Sequence, residues 1–393
     1  MKNNPLLQNS FLPEFSKIEV KHMEPAVREI IKQAEEKLNN LENNYEVSWD
    51  SLMGSLDEIN LMIHKVWSPI SHLNSINNSK ELRDIYQTLI GLIIPFSLRL
   101  EQSKKIYDGL SQLQKSKEFK SLDSAQKRIL EQKLLSAKLS GIALSETERK
   151  KFNKNAEELS RLSTEFSNNV LDATKEYSLT VTAKEDIEGL PEAFLERASQ
   201  SYQEKNKDEK TSKEKGPWLI TLDHTSFGPF LENSKNRDLR KELYLAFITK
   251  ASEGKFNNQK NIHDILTLKK EQATILGFSC YAELSLASKM AKDVNQVYKL
   301  AEDLLPPSQA RAKEEISEIK SYAQQQSGLS EKEFKQWDFS FWSKRLQEKK
   351  FSYTEEELKP YFSFSEVTKG LFRLAQNLFS ITVEEVKQNP PDV

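Results

Sequence analysis

The chain has 393 residues and a formal net charge of -2, with 57 Lys and Arg against 59 Asp and Glu. This near neutrality excludes an electrostatic case for binding nucleic acid or an anionic membrane surface. The single cysteine, Cys280, excludes an internal disulfide framework and a multi-cysteine metal site, while only 11 Gly and 13 Pro favour long helices over a turn-rich β architecture.

The N-terminal part of the chain is predicted to form amphipathic helices. Pro25 favours a helix start, and apolar residues follow it at the spacing of one helical face: Val27, Ile30, Ile31, Ala34 and Leu38. A second set alternates steps of four and three, which predicts packing against a neighbouring helix: Leu52, Leu56, Ile59, Ile63 and Val66. Pro69 is expected to break this second helix.

Three further helices are predicted in chain order, at about 80–107, 123–140 and 146–180. The first contains the most apolar run of the sequence, Leu89–Phe96, which is shorter than the roughly 20 residues that span a bilayer. Gly91 and Pro95 predict a kink there. Ser145 and Glu148 have the spacing of a capping box at the start of the third helix. Its near-heptad apolar spacing favours long antiparallel helices within one domain over a coiled-coil dimer.

A small sheet is predicted in the middle of the chain. The alternating, β-branched segments Tyr177–Thr182 and Trp218–Asp223 indicate two strands. His224–Pro229 is predicted to be a turn, and Phe230–Leu231 the start of a returning segment. The run 203–216 is charged and lacks large apolar residues, so a solvated loop or a helix extension is expected.

Helices are predicted again after this sheet: Arg237–Phe247, Asn261–Leu276, about 293–326 and about 364–379. Gly277 is expected at a C-cap, and Pro306–Pro307 are expected to interrupt the third of these helices. Thr354–Glu357 has the pattern of a capping box, and Pro360–Phe362 is expected to break the chain. The tail Lys387–Val393 is polar and not expected to be ordered by itself.

The predicted fold is therefore mostly α, with long antiparallel helices and a small β-sheet near 177–231. Three parts are expected. They are an N-terminal helical domain over 1–180, a β-containing segment over 181–235 with the charged loop 203–216, and a helical part over 236–393. Met1–Pro5 lacks the apolar core of a secretory signal, so a cytoplasmic location is expected.

The chain has five histidines: His22, His64, His72, His224 and His263. They do not form a metal-binding motif, since none is followed by Glu and no two of them are three or four residues apart. His64 is interpreted as structural, on the packed side of its helix. His72 is expected in the break at Pro69, with a hydrogen bond to backbone, and His224 at the predicted turn. A site assembled from distant residues stays open at this point.

Other candidate groups have simple structural interpretations. Cys280 is interpreted as a small apolar residue, since no base is close to it in sequence. Three glutamate pairs are expected on solvated helix faces rather than as acid/base dyads: Glu157–Glu158, Glu314–Glu315 and Glu355–Glu356. The aromatic cluster Trp337–Trp342 is expected to pack between helices, although lining a peptide groove is an alternative. No phosphate-binding glycine loop occurs.

The block Ser68–Ser75 resembles one near the N-terminus of the zinc oligopeptidases of the oligopeptidase A and thimet oligopeptidase type. Other short stretches, collinear along the chain, are similar to the same family: Asn3–Leu7, Phe15–Ile18, His22 with Pro25–Ala26, Leu139–Leu144, Phe166–Thr174, Leu276–Phe278, Tyr281–Ala282, Lys289–Ala291, Trp337–Asp338, Pro360–Phe362 and Gly370–Phe372.

The resemblance implies a Zn²⁺-dependent peptidase that cleaves oligopeptides inside a channel between two helical domains, with zinc held by a His-Glu-x-x-His helix and a later glutamate. This chain is expected to match the N-terminal half and to end before that motif. We therefore expect one channel wall, no catalytic, cofactor-binding or metal residue, no specific Zn²⁺ binding and no activity alone. A separate C-terminal catalytic half is the expected partner, and a non-catalytic binding module or the remnant of a split or decayed peptidase is the alternative. Apolar surface left uncovered predicts poor solubility or self-association.

Overall fold

A computed structural model describes residues 4–8, 12–207 and 211–387 of the chain. The tail 388–393 and residues 208–210 of the predicted charged loop lie outside the described residues. In the part that is described, the chain forms α-helices and one two-stranded antiparallel sheet, which confirms the predicted mostly α class with a small sheet. None of the described helices is long and apolar enough to cross a bilayer.

The helices before the sheet are α1 (Val20–Asn44), α2 (Ser55–Ile76), α3 (Lys80–Glu101), α4 (Lys104–Lys115), α5 (Lys117–Ser121), α6 (Ser124–Leu139) and α7 (Glu146–Glu176). The strands β1 (Leu179–Val181) and β2 (Trp218–Ile220) flank α8 (Glu192–Lys205). The helices after β2 are α9 (His224–Asn233), α10 (Arg237–Ile248), α11 (Gln259–Ile275), α12 (Tyr281–Leu286), α13 (Val294–Ser327), α14 (Gln336–Phe351), α15 (Glu355–Leu358) and α16 (Phe364–Phe379).

Contacts divide the chain into two compact units. Unit 1 comprises the described residues of Met1–Phe166, Lys260–Tyr298 and Val386–Val393. Unit 2 comprises those of Ser167–Gln259 and Lys299–Glu385. These units group residues by contact rather than by chain order, so the division of the sequence at 180 and 235 stays a prediction.

The core of unit 1 is built from the apolar faces that the sequence indicated. Of the predicted second face, Leu52, Leu56, Ile59 and Val66 are buried, and Ile63 packs partly buried against them. Leu52 lies in a short π-helical segment, Asp50–Gly54, that leads into α2. Buried residues of α1, α3, α4 and α6 complete two adjoining apolar clusters. Removing these side chains from water is the main stabilising term of the unit.

Pro25 and Pro69 in unit 1 lie inside helices, although the sequence predicted a helix start at Pro25 and a helix end at Pro69. Helix α1 begins at Val20, before Pro25, and the backbone N–H of Glu19 donates to His22 Nδ1 at 3.1 Å near that start. Helix α2 continues through Pro69 to Ile76, so the predicted break is wrong. Pro69 is itself buried beside fully buried Ile70, and this burial offsets the backbone hydrogen bond that a proline removes.

The predicted helix over 80–107 is instead two helices. Helix α3 passes Gly91 and Pro95 and ends at Glu101, and α4 begins at Lys104. The side chain of Ser103 separates them, because its Oγ accepts a hydrogen bond from the backbone N–H of Ile106 at 3.3 Å and so caps α4. Helix α6 matches its predicted range, and α7 begins with the predicted bonds between Ser145 and Glu148.

In unit 2 the two predicted strands pair in antiparallel register, with Thr180 opposite Leu219. The strand β2 is buried along its whole length, and α8 and α9 contribute to the same apolar cluster. The predicted turn at His224–Pro229 and returning segment are wrong, since α9 occupies them. Tertiary packing explains the helix: Phe230 is fully buried, and the ring of Phe227 stacks on that of Phe247 at 4.0 Å.

The later helices agree with the sequence except at prolines. Helices α10, α11 and α16 lie at their predicted places, and Gly277 after α11 has a φ of +83°, a value that suits glycine. The predicted capping box at Thr354 forms at the start of α15, and Pro360 lies in the short 3-10 helix Lys359–Tyr361. Helix α13 runs uninterrupted through Pro306–Pro307, which corrects the predicted interruption; both prolines are exposed, and no packing contact explains the continuity.

Candidate functional site

The five histidines lie in four helices: His22 in α1, His64 and His72 in α2, His224 in α9 and His263 in α11. His64, His72, His224 and His263 are exposed, and His22 is half-buried. His64 therefore does not lie on the packed side of α2 as predicted; its Nδ1 instead pairs with Ser68 Oγ at 2.5 Å on the solvent side. Being next in sequence to the partly buried Ile63 does not place His64 on the packed side, because a helix turns 100° per residue.

The block Ser68–Ser75 is part of the continuous helix α2. The ring of His72 lies 5.3 Å from that of Phe15, and its backbone carbonyl accepts a hydrogen bond from Ser75 Oγ at 2.7 Å. The prediction that His72 sits in a helix break is therefore wrong. His224 is the first residue of α9 rather than part of a turn. The contacts of His72 and the position of His224 are those of ordinary helical residues.

Zinc would need three or four His, Cys, Asp or Glu side chains brought together. Among residues 4–8, 12–207 and 211–387, no group of three such side chains could hold a metal ion. Exposed His64 and His72 are eight residues apart on one helix, too far for shared coordination. The described residues do not fit a zinc centre, and no catalytic step is assigned through one.

Neither Cys280 nor the glutamate pairs form an active site in the described residues. Cys280, interpreted from the sequence as a small apolar residue, is exposed at the position before α12 and is not part of a core. The glutamate pairs lie mostly in exposed ion pairs, as predicted; Arg311, for example, bridges Glu314 and Glu315. Such exposed pairs contribute little to stability.

Three cavities lie within the described parts of the units. In unit 1, one of about 470 Å³ is lined by α6 and Ser288, and one of about 520 Å³ lies along α1 and α3. In unit 2, a cavity of about 490 Å³ includes Tyr177, whose pKa burial and nearby Glu242 raise to about 12. A phenol with so high a pKa stays protonated at neutral pH and is not a nucleophile. None of the three supplies a nucleophile with an adjacent base.

A buried ion cluster in unit 2 went unpredicted. The carboxylate of Asp338 is fully buried and accepts hydrogen bonds from Arg237 Nη2 at 2.8 Å, Arg240 Nη2 at 2.9 Å and the backbone N–H of Lys335 at 3.0 Å. Arg240 is also nearly buried, and its Nη1 donates to the carbonyl of Ser234 at 2.8 Å. This cluster joins α14 to α10 and to the end of α9.

Asp338 and the two arginines are charged in this cluster. Burial opposes ionisation of Asp338, but hydrogen bonds from Arg237, Lys335 and Arg240 outweigh it, so the pKa of the carboxyl lies below its usual value. Arginine remains charged in proteins, so Arg240 retains its positive charge inside the unit. The sequence signal was available but weak: arginines at i and i+3 on an amphipathic helix, and a carboxylate within an aromatic run.

The predicted aromatic cluster is only partly packed. Phe341 is buried, and its ring lies 4.3 Å from the guanidinium of Arg240 and 3.8 Å from that of Arg345. Trp337 and Trp342 are half-buried, while Phe339 is exposed. The cluster therefore stabilises α14 through cation–π contacts with neighbouring arginines.

Exposed apolar side chains are concentrated at the carboxyl end of unit 2. From residue 351 to 381 they are Phe351, Tyr353, Leu358, Tyr361, Phe362, Phe364, Val367, Leu371, Phe372, Leu374, Leu378, Phe379 and Ile381. No side chain of α16 is buried. Contiguous exposed apolar surface usually marks an interaction site. We name five of these residues, which share one face of the helix, the α16 apolar face: Phe364, Val367, Leu371, Leu374 and Leu378. It is the candidate functional surface of the described chain.

Two family models match the chain. The model described as "Neurolysin/Thimet oligopeptidase, N-terminal domain" matches residues 27–149, and the model described as "Peptidase family M3" matches residues 230–393. Most of unit 1 before α7 falls in the first match. The buried Asp338 cluster and the α16 apolar face fall in the second.

Curated relatives match nearly the whole chain. A protein of Arabidopsis thaliana named "Probable cytosolic oligopeptidase A" is 40% identical over 383 residues, 98% of this chain and 54% of the relative. "Organellar oligopeptidase A, chloroplastic/mitochondrial" of the same plant is 39% identical, covering 98% of this chain and 48% of the relative. "Oligopeptidase A" of Haemophilus influenzae is 37% identical over 390 residues, 98% of this chain and 56% of the relative. The chain thus spans about half the length of these relatives. It belongs to the oligopeptidase A and thimet oligopeptidase family of M3 peptidases.

Proposed function

We propose that this chain is part of a peptidase that hydrolyses oligopeptides. The observation that carries the proposal is the 37–40% identity along 98% of the chain to proteins named oligopeptidase A. The proposed role of the described helices is structural and substrate-binding: they form one wall of the channel that receives the peptide. Near-neutral charge gives no support for nucleic acid or anionic membrane as a partner.

The proposed metal of the complete peptidase is Zn²⁺, with its ligands outside this chain. The separation of the five histidines and the lack of a three-ligand group among the described residues support this assignment. We therefore expect the chain alone neither to bind zinc specifically nor to cleave peptides. No residue of this chain is assigned a catalytic role.

A complementary catalytic half is the proposed partner. The exposed apolar side chains between residues 351 and 381 support it, because leaving so many large apolar groups in water is unfavourable unless another surface covers them. The same surface supports a second candidate function, a non-catalytic module that binds peptides or proteins, which the remnant of a split or decayed peptidase would also resemble.

The proposed organisation follows the three predicted parts: 1–180, 181–235 and 236–393. The two family matches, at 27–149 and 230–393, fall within the first part and almost within the third, which supports these boundaries. The proposed location is the cytoplasm, supported by the relative named cytosolic; the organellar relative makes a fluorescent fusion of the complete protein the test of this location.

Cleavage of a fluorescence-quenched oligopeptide tests the function. The chain is assayed alone and joined at residue 393 to the part of the Haemophilus influenzae oligopeptidase A that it does not match. We expect zinc-dependent cleavage by the fusion, sensitive to a chelator, and none by the chain alone. Zinc-dependent cleavage by the isolated chain would overturn the proposed division of labour. An inactive fusion that still binds the peptide would favour the non-catalytic module.

A further inference from the structure

Helix α16 is amphipathic but has no buried side chain. The α16 apolar face repeats at steps of three and four residues, and Leu371, at its centre, is 60% exposed. Charged residues lie on the opposite side of the helix: Glu366, Lys369 and Arg373. Steps of three and four place a narrow apolar stripe along a helix, which is the pattern of a seam that packs against another helix.

The helix lacks the usual means of stability for its length. It has 16 residues with Gly370 near its middle, and glycine is less favourable than alanine in a helix interior. Isolated helices of about 12–15 residues are marginal in water, and most helical stability in proteins comes from a packed apolar face. The ends of α16 are satisfied, since Ser363 Oγ accepts from the backbone N–H of Glu366 and Ser380 N–H bonds the carbonyl of Gln376. What α16 lacks is the stabilisation that packing of its apolar face against another surface would give.

The residues beside the apolar face are small or uncharged: Thr368, Gly370, Ala375 and Asn377. In a helix pair, charges at these flanking positions select the partner and its orientation. No such charge is present at these positions of α16, and the hydrogen of Gly370 and the methyl group of Ala375 leave room for a close approach.

We propose that the α16 apolar face is the docking seam for one amphipathic helix of the remaining part of the peptidase. This inference rests on the proposed function and specifies which surface receives the missing half. The relatives are about twice as long as this chain. Their unmatched part is therefore large enough to cover the α16 apolar face. The seam also lies inside the M3 family match, 230–393, and so belongs to the peptidase domain. A second copy of this chain is the competing occupant.

Hydrogen exchange of residues 364–379 tests the seam. The exchange of these amides is compared between the chain alone and the fusion with the unmatched part of the Haemophilus influenzae oligopeptidase A. We expect at least tenfold slower exchange in the fusion. Leu371→Glu in the fusion should restore fast exchange, and the matched control Arg373→Glu, the same new residue on the opposite side of the helix, should not. Because α16 has no buried side chain, both variants of the chain alone should melt like the parent.

Each outcome separates the seam from the proposed function. Slow exchange at α16 in a fusion that cleaves no peptide supports the seam and counts against the function. Peptide cleavage with unchanged exchange at α16 retains the function and overturns the seam. Slow exchange that appears in the chain alone as its concentration rises, with a dimer in sedimentation velocity, assigns the face to a second copy and overturns the proposal.

Discussion

Replacing Asp338 by Asn should destabilise unit 2 far more than an ordinary surface substitution. The carboxylate is fully buried and is held by Arg237, Arg240 and the backbone N–H of Lys335. Without its charge, the guanidinium of Arg240, with 3% of its side chain exposed, stays inside the unit with no counter-ion. Arg237 is 40% exposed and can regain water. The loss therefore comes mainly from Arg240.

Breaking a buried ion pair by removing one partner costs about 3–5 kcal/mol. The amide of Asn still accepts one hydrogen bond, so we expect a loss near the lower end, about 3 kcal/mol in the free energy of unfolding. That loss raises the unfolding equilibrium constant on the order of a hundredfold. Urea denaturation followed by tryptophan fluorescence measures it, because Trp337 and Trp342 lie on the same helix as Asp338.

The matched control is Asp303→Asn. Asp303 is also a helical aspartate of unit 2 with a lysine partner, Lys299 at 2.9 Å, but both side chains are largely exposed, so we expect little change. Replacing both Asp338 and Arg240 by Leu should recover part of the loss, since no unpaired buried charge remains. Equal effects of Asp338→Asn and Asp303→Asn would refute the reasoning.

Three further predictions concern stability. The pKa of Asp338 is lowered on folding, so the contribution of its charge to stability is complete above the unfolded pKa of about 3.9 and is lost as pH falls through the lower folded pKa. The difference in free energy of unfolding between the parent and Asp338→Asn should therefore be constant above pH ~5 and become smaller below pH ~4. Urea titrations at a series of pH values measure it. Leu113→Ala, at a fully buried position of unit 1, should cost about 2–5 kcal/mol in urea denaturation, whereas Leu61→Ala, 57% exposed, should cost little; equal losses would contradict the assigned core. Asn236→Ala removes the side-chain oxygen that caps α10 and should cost about 1 kcal/mol, measured by thermal melting, and an unchanged melting temperature would count against the cap.

The sequence was a good guide wherever one local pattern decided the outcome. The apolar steps through Leu52, Leu56 and Ile59 identified a buried face because a helix repeats every 3.6 residues whatever its surroundings. The capping residues Ser145 and Thr354 marked true helix starts, since their bonds are made within one turn.

The same local rules failed at Pro69 and at His224–Pro229. A proline removes one backbone hydrogen bond wherever it lies, and at Pro69 the burial of neighbouring side chains offsets that loss. Burial of Pro69 and Ile70 keeps α2 continuous, and burial of Phe230 turns a predicted turn into α9. Sequence spacing gives no measure of this burial.

The sequence by itself determined the helical class, most element positions and the family, because these depend on short-range periodicity and on many collinear matches. It also excluded a local metal motif. Only the tertiary structure decided that Asp338 lies buried between two arginines, that His64 faces solvent, and that α16 has an amphipathic face with no partner. These properties depend on residues up to about 100 positions apart, as Arg237 and Asp338 are, and solvent exposure is set only when such segments pack.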